Sequence, residues 1–168
     1  MPLAKGEVDL GLMASLKNLA SCGVMGCGFD SEGRVSRGGT TYRLSGTDRR
    51  RLISGLRDVA VAYFAAGATA VYPAVAGIDP ITRTDEVETA LSLEIPTVDL
   101  SVYASHLMGT CRTGTHPDNS VVDGQGRVWG WKNLYVADAS VFPGSLGVNP
   151  QVTIMATGLA VGATASQS

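Results

Sequence analysis

Two stretches of this chain carry helical patterning, and short apolar runs separated by turn residues fill the rest. Between Thr47 and Ala66, Leu52, Ile53, Leu56, Val59, Ala60, Tyr63 and Phe64 recur at three- and four-residue steps. This spacing predicts a helix with one buried face. Thr47 is the expected cap, Asp48 suits the first turn and Gly67 the stop. Arg49, Arg50, Arg57 and Asp58 fall on the outer side, so the triple arginine Arg49-Arg50-Arg51 reads as a solvated helix start. The second stretch runs from Pro150 to about Ala165 and is apolar nearly all round, which predicts a helix buried inside a protein. Asn149 is the expected N-cap and Pro150 the first helical residue. Gly158 and Gly162 share a face there and imply a close neighbour.

The other segments are shorter. Leu10, Leu12, Met13, Leu16 and Leu19 fit either a helix face or loop and strand. Residues 20–29 read as a strand, Asp30–Gly33 as a turn, Arg34-Val35 as its return and Thr40–Leu44 as another strand. Together they predict a sheet edge with hairpins. Ala70–Tyr72 is a short strand, 76–83 a loop, 84–93 a short helix, and Thr97–Tyr103 is extended. Ser105–Gly114 follows no period, and His116–Asn119 is a turn. Val121-Val122, Arg127–Trp129 and Leu134–Ala137 are short strands joined by turns at Asp123–Gly126 and Gly130–Asn133.

Composition narrows the class. The chain has 168 residues, 45% hydrophobic and 17% charged, enough to bury a core. A net charge of −2 with scattered cations argues against nucleic acid as a partner. Three cysteines, Cys22, Cys27 and Cys111, make no disulfide framework and suit a reducing, cytoplasmic setting. No basic-then-apolar leader is expected at the start, and no run approaches the ~20 apolar residues of a membrane span.

Few residues carry obvious chemistry. His106 lies in a Gly-rich polar loop, where it is either a hydrogen-bonded loop residue or a proton acceptor. His116, beside Pro117, reads as exposed and structural. His106, Cys111 and His116 are five apart, wider than zinc pairs usually are, so no metal site is expected. Cys22 and Cys27 read as small buried hydrophobes. Ser145 lacks the G-x-S-x-G elbow of a hydrolase. Gly23-x-x-Gly26-x-Gly28 is not the dinucleotide fingerprint, because its order is reversed and no helix follows.

Four blocks stand in one order: Ser105-His106-Leu107-Met108-Gly109-Thr110-Cys111-Arg112, Val121-Val122-Asp123, Asn133-Leu134-Tyr135-Val136-Ala137-Asp138-Ala139-Ser140, and Gly147-Val148-Asn149-Pro150-Gln151-Val152-Thr153. With them the chain resembles the C-terminal part of glucose–methanol–choline (GMC) oxidoreductases, FAD enzymes that oxidise alcohols. It is most similar to the branch of cholesterol oxidases and long-chain fatty alcohol oxidases. The resemblance is specific over 103–165 and looser over 20–75. It departs at Thr113, where relatives usually carry Met.

The resemblance implies an α/β (α+β) fold. An antiparallel substrate-domain sheet with helices would occupy 1–102. Residues 103–168 would supply the active-site loop and the strand and buried helix that complete an FAD-binding domain. It implies that His106 is the general base on the substrate hydroxyl, with the hydride going to flavin N5, and that Asn149 is the second active-site residue. Asp138, Ala139, Asn149, Pro150, Gln151 and Val152 would contact FAD. The strand–G-x-G-x-x-G–helix unit of the family has no counterpart here. The expectation is therefore a fragment or split-gene product, inactive alone, that needs a separate Rossmann-type FAD-binding chain. The implied substrate is an alcohol, apolar in that branch, a sterol or a long-chain alcohol. The alternative is a non-catalytic remnant or interaction module.

Overall fold

A computed structural model describes residues 14–28, 30–73 and 75–167. Its architecture is mixed α/β: one two-stranded antiparallel sheet, two long helices and several single helical turns. The chain divides into two compact units. The described part of unit 1 is 14–26 with Leu44–Tyr103, and that of unit 2 is Cys27–Arg43 with 104–167.

Unit 1 is organised on helix α1, Gly46–Ala65. The cap is Ser45, not Thr47: its extended backbone lets the hydroxyl accept from the Asp48 amide at 3.0 Å. At the other end the Ala66 amide donates to the Ala62 carbonyl (3.0 Å) and the Ala68 amide to that of Tyr63 (2.9 Å). The apolar stripe is buried as its spacing requires. Ile53 and Ala60 pack with Val75, Ile81, Val87, Leu91 and Ile95.

The arginines of α1 do more than face water. The Arg49 guanidinium donates to the Ile95 carbonyl, Arg57 Nε to the Leu91 carbonyl (2.7 Å) and Arg57 Nη2 to that of Glu88 (3.1 Å). Long arginine stems cross the helix flank and satisfy carbonyls that a short helix leaves open. Asp48, buried, pairs with Arg51 at 3.2 Å. The short helix is two pieces, a 3-10 turn at Thr84–Glu86 and α2 at Val87–Ala90. It stops earlier than expected, with Leu91 turned into the core.

The remaining pairing in unit 1 is sparse. Val71 and Ile81 exchange both backbone hydrogen bonds (2.8 and 2.9 Å), and Val75 bridges Leu100. Thr97–Asp99 is a 3-10 turn rather than extended chain. At the front, Leu10–Met13 lie outside the described residues, and Leu16–Asn18 form a 3-10 turn. Residues 20–28 have no strand partner. Part of that segment lies on α1 instead, where a Cβ at Gly55 would meet Val24 Cγ1 at 2.6 Å. Side-chain packing on a helix has replaced the sheet pairing that the apolar run suggested.

Unit 2 contains the hairpin, shifted from its expected register. Strand β1 is Glu32–Ser36 and β2 is Gly39–Arg43, so the turn falls at 37–38 and not at Asp30–Gly33. The Gly38-Gly39 pair outcompetes Asp30–Gly33 because a tight hairpin needs permissive residues at its tip. The expected strands at 121–137 appear as single bridges, Thr113 to Val122, Val122 to Val128 and Arg127 to Tyr135. The Asp123–Gly126 turn forms as expected. The Asp123 carboxylate accepts from the Gln125 (2.8 Å) and Arg127 (3.0 Å) amides.

The last helix, α3, is Gln151–Ala165. Pro150 is its N-cap, one residue after the expected position, and no side chain caps it. The Pro150 carbonyl takes the first helical bond, from the Ile154 amide at 2.8 Å. Only Val161 of this helix is buried within the chain, while Val152, Met155 and Leu159 are 75%, 56% and 77% exposed. Gly158 has its close neighbour, the Ala137 carbonyl 4.0 Å from where a Cβ would sit, and Gly162 has none among the described residues.

Candidate active site

The residues singled out from the sequence hang on one apolar cluster in unit 2. Val122, Val141 and Phe142 are buried, and Met108, Val128, Val136, Ala139 and Ile154 pack around them. Met108 lies two residues after His106. Ala139 follows Asp138, and Ile154 is in the first turn of α3. The loop carrying His106, the turn carrying Asp138 and the helix start at Gln151 are thus anchored on the same side chains.

Backbone bonds lock the first two together. The Cys111 amide donates to the Ser140 carbonyl (3.0 Å) and the Thr113 amide to that of Val141 (2.8 Å). A Cβ at Gly109 would sit 3.4 Å from the Phe142 carbonyl. The segment after His106 therefore runs along Ser140–Phe142. That side of the loop fits neither helical nor strand period because its partner is a 3-10 turn, Ala139–Val141.

The strand segment before Asp138 runs antiparallel to α3. Val136 is near Val161 through Gly126, Ala137 faces Gly158, and Ala139 shares its cluster with Ile154. Each step toward Asp138 is a step toward the helix start. Ala139, next to Asp138, thus shares its apolar cluster with Ile154 in the first turn of α3. There the Gln151, Val152 and Thr153 amides find no acceptor among the described residues. Those amides and the helix dipole favour negative charge.

Asp138 itself is exposed, but its carboxylate is used inside its own turn. It accepts from the Ser140 amide (2.8 Å) and from the Ser140 hydroxyl. These two bonds, the hydroxyl first, hold its pKa below the ordinary carboxylate value. Toward a ligand, this corner offers backbone amides more than free charge.

His106 and Asn149 are both exposed in unit 2, and neither forms a hydrogen bond among the described residues. Pro150 is buried and fixes the corner, whereas Gln151 and Val152 face outward. Cys27 approaches Gly147, where a Cβ would lie 3.3 Å from its Sγ, so a residue from far back in the chain supports the loop before Asn149. Cys27 is half-buried and Cys22 exposed, so neither is the buried hydrophobe expected, and all three cysteines are free. His116 is exposed, with Nδ1 3.3 Å from Asp118 Oδ2, and its carbonyl accepts from Ser120 Oγ at 2.7 Å. That is the structural role expected of it. No group of three metal-ligating side chains occurs among the described residues.

Sequence reasoning missed the supports: Ser140 under Asp138, Phe142 under the His106 loop, and Arg127. The Arg127 guanidinium lies over the Tyr135 ring, 5.8 Å from its centroid. Its pKa is raised, first by a hydrogen bond with Tyr135. An arginine and an aromatic eight apart around one turn were the only trace of that contact.

Comparison with known proteins gives the family. Residues 37–158 match the family described as GMC oxidoreductase. The chain belongs to the GMC oxidoreductase family. It is 41% identical over 116 residues to an uncharacterized GMC-type oxidoreductase, y4nJ, of Sinorhizobium fredii, covering 69% of this chain and 23% of that protein. It is 38% identical over 133 residues to the long-chain-alcohol oxidase FAO4A of Arabidopsis thaliana, covering 72% and 18%. Against a cholesterol oxidase of Acinetobacter baumannii it is 50% identical over 54 residues, covering 32% and 10%. The chain thus spans less than a quarter of the length of the curated relatives it matches here.

Proposed function

We propose that this chain is the C-terminal portion of a flavin-dependent oxidoreductase that oxidises the CH–OH group of an apolar alcohol. The observation that carries the reading is the convergence described above: the His106 loop, the Asp138–Ala139 turn and the open start of α3 share one cluster. Family membership supplies the chemical class.

The residues fit FAD. Three amides without acceptors, at Gln151, Val152 and Thr153, suit a ring edge that gathers negative charge, and exposed Val148 and Val152 suit its flat apolar face. The backbone of Asp138 and Ala139 suits the ribityl–pyrophosphate portion. The buried corner at Pro150 holds the helix start in place, and exposed Asn149 faces the cofactor side. When bound, FAD supplies a hydride acceptor at N5.

The chain's own part is the proton and the placement. A neutral imidazole at His106 takes the proton from the alcohol oxygen as the carbonyl forms. The Asn149 amide donates to the same oxygen and holds it beside His106. Leu100–Cys111 carries no charged residue apart from what His106 can acquire. Within it Leu107, next to His106 in the chain and in the same unit, is 73% exposed. That apolar setting favours a long-chain or sterol-like alcohol, the class named for the Arabidopsis and Acinetobacter relatives.

The Val152, Met155 and Leu159 face of α3 is where a Rossmann-type FAD-binding chain seats. The helix has no charged residue along its 15 positions, so leaving that face in water is unfavourable. The same bare face favours a second reading, an interaction module without catalysis. The three free thiols suit a cytoplasmic setting. No helix among the described residues is long and apolar enough to cross a membrane.

The test is reconstitution with a chain carrying the strand–G-x-G-x-x-G–helix unit, followed by anaerobic flavin reduction with a panel of alcohols. The chain alone should be colourless and inactive. In the complex, His106→Ala should keep FAD and lose two or more orders of magnitude in flavin reduction, in line with general-base contributions of about 10²–10⁴. Unchanged reduction removes His106 from its role and leaves the interaction module.

A further inference from the structure

The turn Asp123–Arg127 does something that its sequence signature alone does not require. Gly126 is buried with φ +78°, and a Cβ there would lie 2.7 Å from Val161 Cγ2, 3.1 Å from Val161 Cγ1 and 2.8 Å from the Val136 carbonyl oxygen. Its amide donates to the Asp123 carbonyl (3.0 Å) and its carbonyl accepts from the Val136 amide (2.9 Å). Three elements meet at this one residue: the turn, the segment that ends at Asp138, and α3.

The geometry points to Gly126 as a positioning residue that sets the spacing between the Val136–Ala139 segment and α3. It thereby fixes how the backbone at Asp138–Ala139 faces the amides of Gln151 and Val152. This rests on the flavin reading above, since those two groups are the proposed cofactor contacts.

The lever is short and stiff. Relieving a 2.7 Å contact to an ordinary carbon–carbon separation requires about 1 Å of movement. The helix runs from Val161 to Gln151 as one rod, about 15 Å at 1.5 Å per residue. It cannot absorb that movement locally, and neither can the strand segment, which is pinned by the Gly126–Val136 bond. A displacement of that size at a binding or reacting group matters for function.

Gly130 provides an internal control. It too has positive φ, +79°, but no described residue lies within 4 Å of its would-be Cβ. Gly126→Ala and Gly130→Ala therefore impose the same backbone strain, and only the first drives the strand from the helix.

The experiment measures FAD dissociation constants, by quenching of flavin fluorescence, in the complex with a chain carrying the nucleotide-binding unit. Temperatures are kept well below the melting points of both variants. Both substitutions should lower Tm, Gly126→Ala by more because it adds overpacking to the same backbone strain. Gly126→Ala should weaken FAD at least tenfold and Gly130→Ala less than twofold. Adding Val161→Ala to Gly126→Ala should recover part of the lost affinity, because the blocking methyls are gone while the 2.8 Å approach to the Val136 carbonyl oxygen stays.

Should Gly126→Ala fail to fold, Val161→Ala alone loosens the same contact, and it should weaken FAD about threefold while Gly130→Ala does not. Equal FAD affinity in all variants of either set overturns the spacing role and leaves the flavin reading intact. A wild-type complex that binds no FAD overturns the flavin reading and this inference together.

Discussion

Unit 1 buries seven apolar residues in one cluster around α1, whereas the cluster of unit 2 has three, with Val161 buried apart from it. The contrast continues on their long helices. α1 is amphipathic, capped by Ser45 and braced by arginines, with its apolar face covered. α3 is uncharged and uncapped, with Val152, Met155 and Leu159 bare. Unit 1 has the makings of a self-sufficient core. Unit 2 is tied by turns and backbone bonds more than by buried area.

The largest expected effect tests the first half of that contrast. Ile53 is fully buried, and Ile53→Ala should cost about 2–5 kcal/mol in denaturant unfolding followed by far-UV circular dichroism. A loss under 1 kcal/mol would mean that unit 1 has no real core. Leu159→Lys tests the other half. It should leave the isolated chain's stability within about 0.5 kcal/mol, as surface changes do. It should weaken association with an FAD-binding chain at least tenfold, about 1.4 kcal/mol, by titration calorimetry. Destabilisation of the chain alone would show that α3 is already covered.

Two smaller effects sharpen the comparison of the caps. Ser45→Ala should cost about 1 kcal/mol of stability, measured by urea unfolding. No substitution at Asn149 should show a capping loss of that kind, because its side chain caps nothing. The smallest effect is acid sensitivity at Asp138. Its folded pKa lies below the unfolded value of about 3.9, so its contribution is complete above that pH and fades as pH falls through the folded pKa. Carbon-detected NMR titration should show the Asp138 pKa rising toward the ordinary value in Ser140→Ala. An unmoved titration would assign the shift to the backbone amide alone.

How much of this was legible in the sequence depended on how local the cause was. The α1 stripe was plain because helical spacing and burial agree over five turns. Its cap was displaced because Ser45 and Thr47 are both capping residues, and only the extended backbone at Ser45 decides between them. The Asp123–Gly126 turn was readable, since an aspartate reaching forward to its own backbone is a short-range event. Strand expectations at 20–29 and 134–137 failed to become ladders because pairing depends on distant partners. Here those partners are helix side chains or single bridges. In the site, the motif order pointed to His106, Asp138 and Asn149, but nothing in it showed that Met108, Ala139 and Ile154 gather on Val122, Val141 and Phe142. That is a tertiary fact, as is the close passage of Val161 over Gly126.

The hairpin Glu32–Ser36/Gly39–Arg43 belongs to unit 2, although the rest of that unit begins only at Ala104. Leu44–Tyr103 sits between as an excursion that builds most of another unit. As the polypeptide leaves the ribosome, α1 and its companions can collapse while the hairpin still waits for its neighbours. Closing so long an intervening loop adds little entropy per extra residue, but it delays the event. Newly made chains should thus pass through a stage with unit 1 formed and the hairpin unattached.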